Sequence, residues 1–329
     1  MCGQTTLNGY YSRFILSRVR GHLGVTYESI SISPGFDSND FGITGQTDRI
    51  FNCASIGWKK YEPGEIFRYY MTNYNGTLLS NFGGDFFHGQ FNNYTSITAF
   101  VGMGPEIKSD QVLWGGPLVV SPAGYYAYLN FSTNGQKDLV FGIGYNGCGN
   151  SAGNKEKPTS LDISYKMGDK LRLSISPTYS INKNIVQYYP FTDETDVVHE
   201  WGVPQLDQKM FSTSFRLDYT LYLVMSFQSY IKPFIWEGIY SDFKKFAKYD
   251  KYEFDRFPIE DASYTYRSLI FNTVFRWEYK PGSAFYFVWT RNVKDNSSET
   301  NFDVVRNTVD LLKSQANNNI AIKLTYWMD

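Results

Sequence analysis

Along most of this chain hydrophobic and polar residues alternate one for one. From Phe211 the odd positions read Phe211, Thr213, Phe215, Leu217 and Tyr219, and the even positions read Ser212, Ser214, Arg216, Asp218 and Thr220. A period of two puts successive side chains on opposite faces of an extended strand, so one face is apolar and the other polar. The pattern returns at Leu171, Leu173 and Ile175 against Arg172, Ser174 and Ser176. It returns again where Leu269, Phe271, Phe275 and Trp277 oppose Asn272, Arg276 and Glu278. It closes the chain with Ile320, Ile322, Leu324 and Tyr326 opposite Lys323 and Thr325.

By this criterion the sequence predicts about fifteen strands, over 5–16, 20–32, 46–60, 65–75, 81–91, 94–103, 122–133, 137–147, 157–167, 170–183, 207–220, 224–238, 265–279, 283–292 and 318–328. Several exceed the five or six residues of an average globular strand. A tilted strand crossing a bilayer needs roughly nine to eleven. The connections alternate in length. Short ones fall near Arg18–Val19, Tyr61–Gly64, Asn92–Asn93, Thr133–Gln136, Met167–Asp169, Leu221–Leu223 and Lys280–Gly282. Between them come mostly longer ones: Ser33–Gly45, Gly104–Ser121, Cys148–Lys155, Asn184–Leu206, Ile239–Tyr264 and Val293–Asn317. Outer-membrane barrels have short periplasmic turns and longer extracellular loops. Helical spacing stands out in one place, at Phe302, Val305, Val309 and Leu312. It predicts a short amphipathic helix near 302–314, in the last long loop, packing on a barrel rim.

Composition sharpens this picture. Aromatic residues make up 18% of the chain, with 27 Tyr and 26 Phe, types that favour pleated, half-buried surfaces. Charged residues are 19%, below the roughly 25% of soluble domains. The net charge of −1 offers no electrostatic footprint for nucleic acid. No stretch approaches the roughly 18 apolar residues of a membrane helix, a test to which barrel strands are invisible. Aromatic pairs at strand ends, such as Tyr69-Tyr70, Tyr125-Tyr126, Tyr188-Tyr189, Trp277 with Tyr279, and Tyr326-Trp327, read as girdles at headgroup depth. Plain β-sheet enrichment is the alternative reading. A propeller would need repeats of about 40–50 residues, and none is visible. The expected fold is therefore all-β: a transmembrane antiparallel up-and-down β-barrel of about 14–16 strands, forming one domain over residues 1–329 in the bacterial outer membrane. Such walls contact lipid and lipopolysaccharide.

The alternation also sets a parity. The chain ends on a strand, and with that end in the periplasm every short turn is periplasmic too. Counting back through fifteen strands puts the start on the long-loop side, whereas barrel chains normally enter from the periplasm with an even strand count. At least one strand is expected before Met1, and the wall in hand is expected to be incomplete. The opening MCGQTTLNGYYSRF has neither the basic nor the apolar region of a signal peptide, which points the same way.

Four segments carry a resemblance: SPGFDSNDFG (Ser33–Gly42), WGGP (Trp114–Pro117), FRWEYKPGSAFYFVW (Phe275–Trp289) and NIAIKLTYW (Asn319–Trp327). Together they resemble an uncharacterised bacterial family of outer-membrane barrels that follow a carbohydrate-binding, family-nine-like module. At WGGP this chain departs from the family, which more often has Arg before the two glycines. The resemblance implies further barrel strands and a sugar-binding-like domain upstream. It sharpens fold and location more than function.

Candidate chemistry is sparse. Asp37, Asn39 and Asp40 could offer oxygen ligands to Ca²⁺, but the calcium-loop pattern lacks its bidentate Glu, and a Pro-Gly turn with Asx capping is the favoured reading. Trp114, Gly115, Gly116 and Pro117 lie in VLWGGPLVVSP, whose Leu113, Leu118, Val119 and Val120 are too apolar for a free solvent loop. This segment is read as a loop folding into the lumen, with a Gly-Gly surface turn as the alternative. Arg172, Arg216, Asp218, Arg276, Glu278 and Lys323 fall on the polar face and are expected to face the lumen. There they serve as a selectivity-setting charge lining, a structural salt-bridge ladder, or both. Cys2, Cys53, Cys148, His22, His88 and His199 are scattered, so neither a metal, a cofactor nor a disulfide framework is expected. No nucleophile elbow, P-loop, dinucleotide fingerprint or zinc-hydrolase helix is present. The expected work is that of a pore or transporter for an extracellular solute, a glycan by analogy with the upstream module, and not of an enzyme. The rivals are a structural or assembly anchor that conducts nothing, and an outer-membrane enzyme.

Overall fold

The computed structural model describes residues 8–36, 48–77, 83–109, 113, 117–184, 189–192, 198–249, 251, 253–256 and 263–328. The strands in chain order are β1 (Tyr11–Arg18), β2 (Leu23–Ile32), β3 (Arg49–Lys60), β4 (Phe67–Thr77), β5 (Gly83–Phe91), β6 (Ser96–Gly104), β7 (Ile107–Ser109), β8 (Val119–Ser121), β9 (Gly124–Ser132) and β10 (Leu139–Asn150). They continue with β11 (Lys155–Met167), β12 (Leu171–Asn184), β13 (Tyr189–Thr192), β14 (Val198–Gly202), β15 (Gln205–Tyr222), β16 (Met225–Ser241), β17 (Lys244–Lys248) and β18 (Glu253–Arg256). The chain then forms β19 (Tyr264–Lys280), β20 (Ser283–Ser297), the helix α1 (Val304–Lys313) and β21 (Asn317–Thr325).

Fifteen of these strands make one antiparallel sheet in the order β1-β2-β3-β4-β5-β6-β9-β10-β11-β12-β15-β16-β19-β20-β21. Each strand pairs with the one before and the one after it, an up-and-down meander. All fifteen coincide with the strands the alternation predicts. The largest departure is β1, expected over 5–16 and found at Tyr11–Arg18. Among the described residues β1 and β21 do not pair, so the sheet has two edges.

The short connections all lie at one end of this sheet. Two residues, Pro281 and Gly282, join β19 to β20. Gly282 has φ 75, a left-handed angle that glycine adopts without steric cost. A Cβ there would also stand 3.1 Å from the Cβ of Trp327. The Trp327 amide donates to the Ser283 hydroxyl at 2.9 Å, so the chain's tail folds over this last turn.

The opposite end carries extra structure that periodicity over eleven-residue windows did not reveal. Within the β6–β9 connection, β7 and β8 form a hairpin. The connections flanking β15 and β16 contribute a four-stranded sheet in the order β13-β14-β17-β18. These strands have only three to five residues, too few for an alternation to register. Three separate connections meet here: Leu113 and Val119 pack with Val203 and Phe246. The Val120 amide donates to the Tyr249 carbonyl at 3.2 Å, and the Val203 amide to the Lys244 carbonyl at 2.7 Å.

The helix begins on Asp303, whose side chain accepts from the Arg306 amide at 2.9 Å, a standard N-cap. It packs on the loop end of the sheet. Leu311, at 1% exposure, sits on Leu269 and Val293. Arg267 donates to Asn307 at 3.0 Å and pairs with Asp295. Arg291 donates to the Leu312 carbonyl at 3.0 Å. Removing the Leu311 side chain takes away the apolar anchor of this contact, worth about 2–5 kcal/mol by analogy with buried Leu→Ala changes. Leu311→Ala should therefore free α1 locally. Limited proteolysis after Lys313 is expected to accelerate at least tenfold while the large sheet stays protected.

Candidate functional site

The ladder registers decide which residues share a face. Phe215 stands opposite Ile175 on β12 and Ile231 on β16. Ile231 stands opposite Phe271, Phe275 opposite Phe287, and Phe287 opposite Ile322. In the other direction Ile175 faces Ile163, Leu161 faces Ile143, Ile143 faces Phe131, and Phe131 faces Ile97. One largely apolar face thus runs from β6 to β21, interrupted by Arg291 opposite Phe271. It is mostly bare: Phe14, Leu16, Ile56, Leu129, Ile143, Leu173, Phe215 and Ile322 are all exposed. A shallow hollow of about 380 Å³ between Ile163, Leu173, Phe215 and Ile231 belongs to it.

On β12, β15, β16 and β19 this face carries no charge over its middle, whereas on β20 Arg291 stands on it opposite Phe271. On β12 the uncharged stretch is Leu171–Ile181, on β15 Phe211–Tyr219, on β16 Met225–Ile235 and on β19 Leu269–Trp277. On those four strands charges enter only toward the ends. Arg18 and Lys60 mark the short-turn end; Lys183, Lys209, Glu237, Arg267 and Asp295 mark the long-loop end. Tyr and Trp gather near both limits: Trp58, Tyr165, Tyr219 and Trp277 toward the short turns, and Tyr74, Tyr125, Tyr145 and Tyr179 toward the loops. The aromatic pairs noted in the sequence divide between faces, because neighbours on a strand point opposite ways. Tyr70 and Tyr125 are on the apolar face, Tyr69 and Tyr126 on the polar one. The side chains of Tyr188 and Tyr189 lie outside the description.

The opposite face is built from Ser, Thr, Asn, Gln and Gly, with charges and a few rings. The six charged candidates all fall on it. Arg172 is the direct cross-strand partner of Asp218, and Arg216 that of Tyr230. The Arg216 guanidinium lies 5.0 Å from the Tyr230 ring centre. Arg276 binds Glu278 at 2.6 Å and donates to the Tyr286 hydroxyl at 3.3 Å. Lys323 lies 5.9 Å from the same ring. Arg216, Asp218, Gln228, Tyr230 and Asn272 line a polar hollow of about 300 Å³. The candidates therefore divide: Arg276 and Glu278 form an ion pair, while Arg172, Arg216 and Lys323 have no described carboxylate within ion-pair distance.

A second patch, toward the loop end of the same face, escaped the sequence reading. Asn182 donates to Gln208 at 3.0 Å, and Gln208 to the Tyr264 hydroxyl at 3.1 Å. Beside them the rings of Phe234, Trp236, Tyr264 and Tyr266 meet edge to face, 5.6–5.9 Å apart for Trp236–Tyr264 and Phe234–Tyr266. The Tyr264 ring also covers Gly238, where a Cβ would stand 2.6 Å from it. Residues from β12, β15, β16 and β19 meet here, and no local spacing joins them.

Of the loop candidates, Asp37, Asn39, Asp40, Trp114, Gly115 and Gly116 lie outside the described residues. Pro117 is described and exposed. Around it Leu113, Val119 and Val120 are buried, whereas Leu118 is exposed. Their apolarity is accounted for by the packed cluster with Val203 and Phe246. Among the described residues no three His, Cys, Asp or Glu side chains gather as metal ligands. No helix among them is long and apolar enough to cross a membrane, which says nothing of crossing by strands.

Residues 2–329 match the family described as Domain of unknown function (DUF5916). No curated protein matches, and no solved structure matches.

Arg276 and Glu278 keep side-chain exposures of 37% and 31%, so solvent screens their attraction. Pairs of this kind contribute little to stability. In a double-mutant cycle of Arg276→Gln and Glu278→Gln, the two effects on unfolding stability are expected to add. A large departure from additivity would instead place the pair in a desolvated, structure-determining site.

Proposed function

The chain belongs to the DUF5916 family, and we propose that its large sheet is the wall of a β-barrel in the bacterial outer membrane. In this reading the apolar face meets lipid and lipopolysaccharide acyl chains, the polar face lines a watery interior, and the wall serves the passage of an extracellular solute. One observation carries the reading: the exposed apolar face is free of charge over nine to eleven residues on β12, β15, β16 and β19. That is the length a tilted strand needs to cross the hydrocarbon. The Tyr and Trp residues at both limits suit headgroup depth. The short turns suit the periplasmic side, and the long, structured connections the outside. The outer stripe of α1, with Val305 at 75% and Leu312 at 58% exposure, suits a helix lying at the lipid boundary.

Water is a poor home for such a face. The chain exposes 21447 Å², whereas a compact soluble chain of 37.9 kDa exposes about 14,000 Å². A glycan is the solute suggested by the family resemblance, and rings with amides, as at Trp236, Tyr264, Asn182 and Gln208, are groups that bind sugars. A second reading, an anchor that docks a partner without conducting, is favoured by the packed four-stranded sheet over the loop end. Conductance in a planar bilayer separates the two: unitary current steps support passage, and a trace closed under every condition supports the anchor.

The membrane reading itself is tested by facing pairs of substitutions. Phe215→Lys places a cation on the apolar face and is expected to cost about 2–4 kcal/mol in lipid. Ser214→Lys, one residue away on the polar face, should cost under about 1 kcal/mol. Folding into detergent or lipid is followed by the heat-induced mobility shift on gels. Equal tolerance of both substitutions, or a monodisperse protein that never needs detergent, would overturn the assignment.

A further inference from the structure

The chain as a whole is nearly neutral, with 31 Lys and Arg against 32 Asp and Glu. Its charges are not evenly spread. Within the regular registers of the fifteen-stranded sheet, the polar face receives ten Lys or Arg and five Asp or Glu. The acidic excess that balances the chain therefore lies off this face.

The imbalance deepens once pairs are considered. Glu278 is neutralised by Arg276 at 2.6 Å, and Glu28 by Arg13 at 2.6 Å. Arg172, Arg216 and Lys323 have no such partner among the described residues. Arg216 and Lys323 lie against the rings of Tyr230 and Tyr286 instead. A ring face holds a cation in place without cancelling its charge. Asp218, the nearest acid to Arg172 and Arg216 in the ladder, is one carboxylate against two guanidinium groups.

We propose that this face is an anion-attracting lining, and that the solutes it favours are small and negatively charged, bearing carboxylate or phosphate groups or being inorganic anions. The inference rests on the barrel reading, because it needs the polar face to enclose water. Charges on an open surface are screened within about 8–10 Å at physiological salt. Inside a wall with low-dielectric surroundings, fixed charges of one sign focus the field and concentrate counter-ions. Rings of Arg and Lys are the usual device of anion-selective pores. In the hollow between Arg216, Tyr230 and Asn272 such a solute would lie beside an uncompensated cation.

Two measurements on the full chain test this. The first is the reversal potential of the reconstituted protein in a planar bilayer under a KCl gradient. Chloride is expected to be favoured over potassium by more than about twofold, and Arg172→Gln/Arg216→Gln/Lys323→Gln should bring the ratio to one or below. Potassium preference, or a ratio unmoved by the triple substitution, overturns the proposal. The second needs no current. In a background with Cys2, Cys53 and Cys148 replaced by Ser, Asn272→Cys is reacted with anionic and cationic methanethiosulfonate reagents in detergent. Relative to a free thiol, the anionic reagent should gain about threefold or more over the cationic one, and the triple substitution should abolish the gain. A closed bilayer trace would refute the pore alone; the reagent ratio would then decide the charge inference, an absent or reversed gain overturning it.

Discussion

An apolar surface left in water costs roughly 25 cal/mol for every Å², and this chain has a sheet face of such surface with almost nothing of its own to cover it. Among the described residues the usual remedy, a second layer of helices or strands, is missing over most of the sheet. Of the described elements only α1 does this work, over Leu269 and Val293. The two packed clusters are small and lie toward the loop end, so the described residues form no central core in the ordinary sense. What holds the sheet together is its ladder of hydrogen bonds and the cross-strand pairs on each face. An apolar solvent around the sheet would make this arrangement consistent, since lipid satisfies side chains while the ladder satisfies the backbone.

The same constraint explains where charge is allowed. Over the middle of the apolar face there is none on β12, β15, β16 and β19, and on β20 Arg291, opposite Phe271, is held by the Leu312 carbonyl of the helix. At the limits of that band the charges appear at once, and several are compensated: Arg267 by Asp295 and Asp310, and Lys209 weakly by Glu237 at 4.0 Å. The polar face obeys no such rule. It admits Arg172, Arg216 and Lys323 without carboxylate partners, which is tolerable only where water reaches them. The face therefore holds a cationic region toward the short turns and a ring-and-amide patch toward the loops, and the proposed passage of a solute places its contacts there.

The edges are the part of the sheet that its own residues leave open. β1 and β21 run in the same direction, because an odd number of antiparallel strands separates like from like. They could join directly only as a parallel pair, whereas an intervening strand would keep every pairing antiparallel. All described residues of β1, and nearly all of β21, are exposed, as edges without a neighbour are. Exposed edges in lipid are costly and in water invite aggregation, so closure is a physical requirement of the barrel reading.

For the large sheet, strand number, order and facing were written into the sequence itself, because a period of two is a local property that each strand carries alone. Phe215 against Arg216 and Leu173 against Arg172 already assigned the faces, and the short turns already put neighbours side by side. The placement of Arg172, Arg216, Asp218, Arg276, Glu278 and Lys323 on one face followed from the same parity. Arg276 and Glu278 stand two apart on one strand and one face, so their pairing is local, but only the folded chain sets Arg276 opposite Tyr286 and leaves Arg172, Arg216 and Lys323 without described carboxylates. Only the folded chain joins Asn182, Gln208, Trp236 and Tyr264, which come from four strands. It alone sets α1 on the apolar face and packs Leu113 and Val119 on Val203 and Phe246. Those contacts span tens to more than a hundred residues of sequence, and long-range registry, unlike alternation, has no signature within a local window.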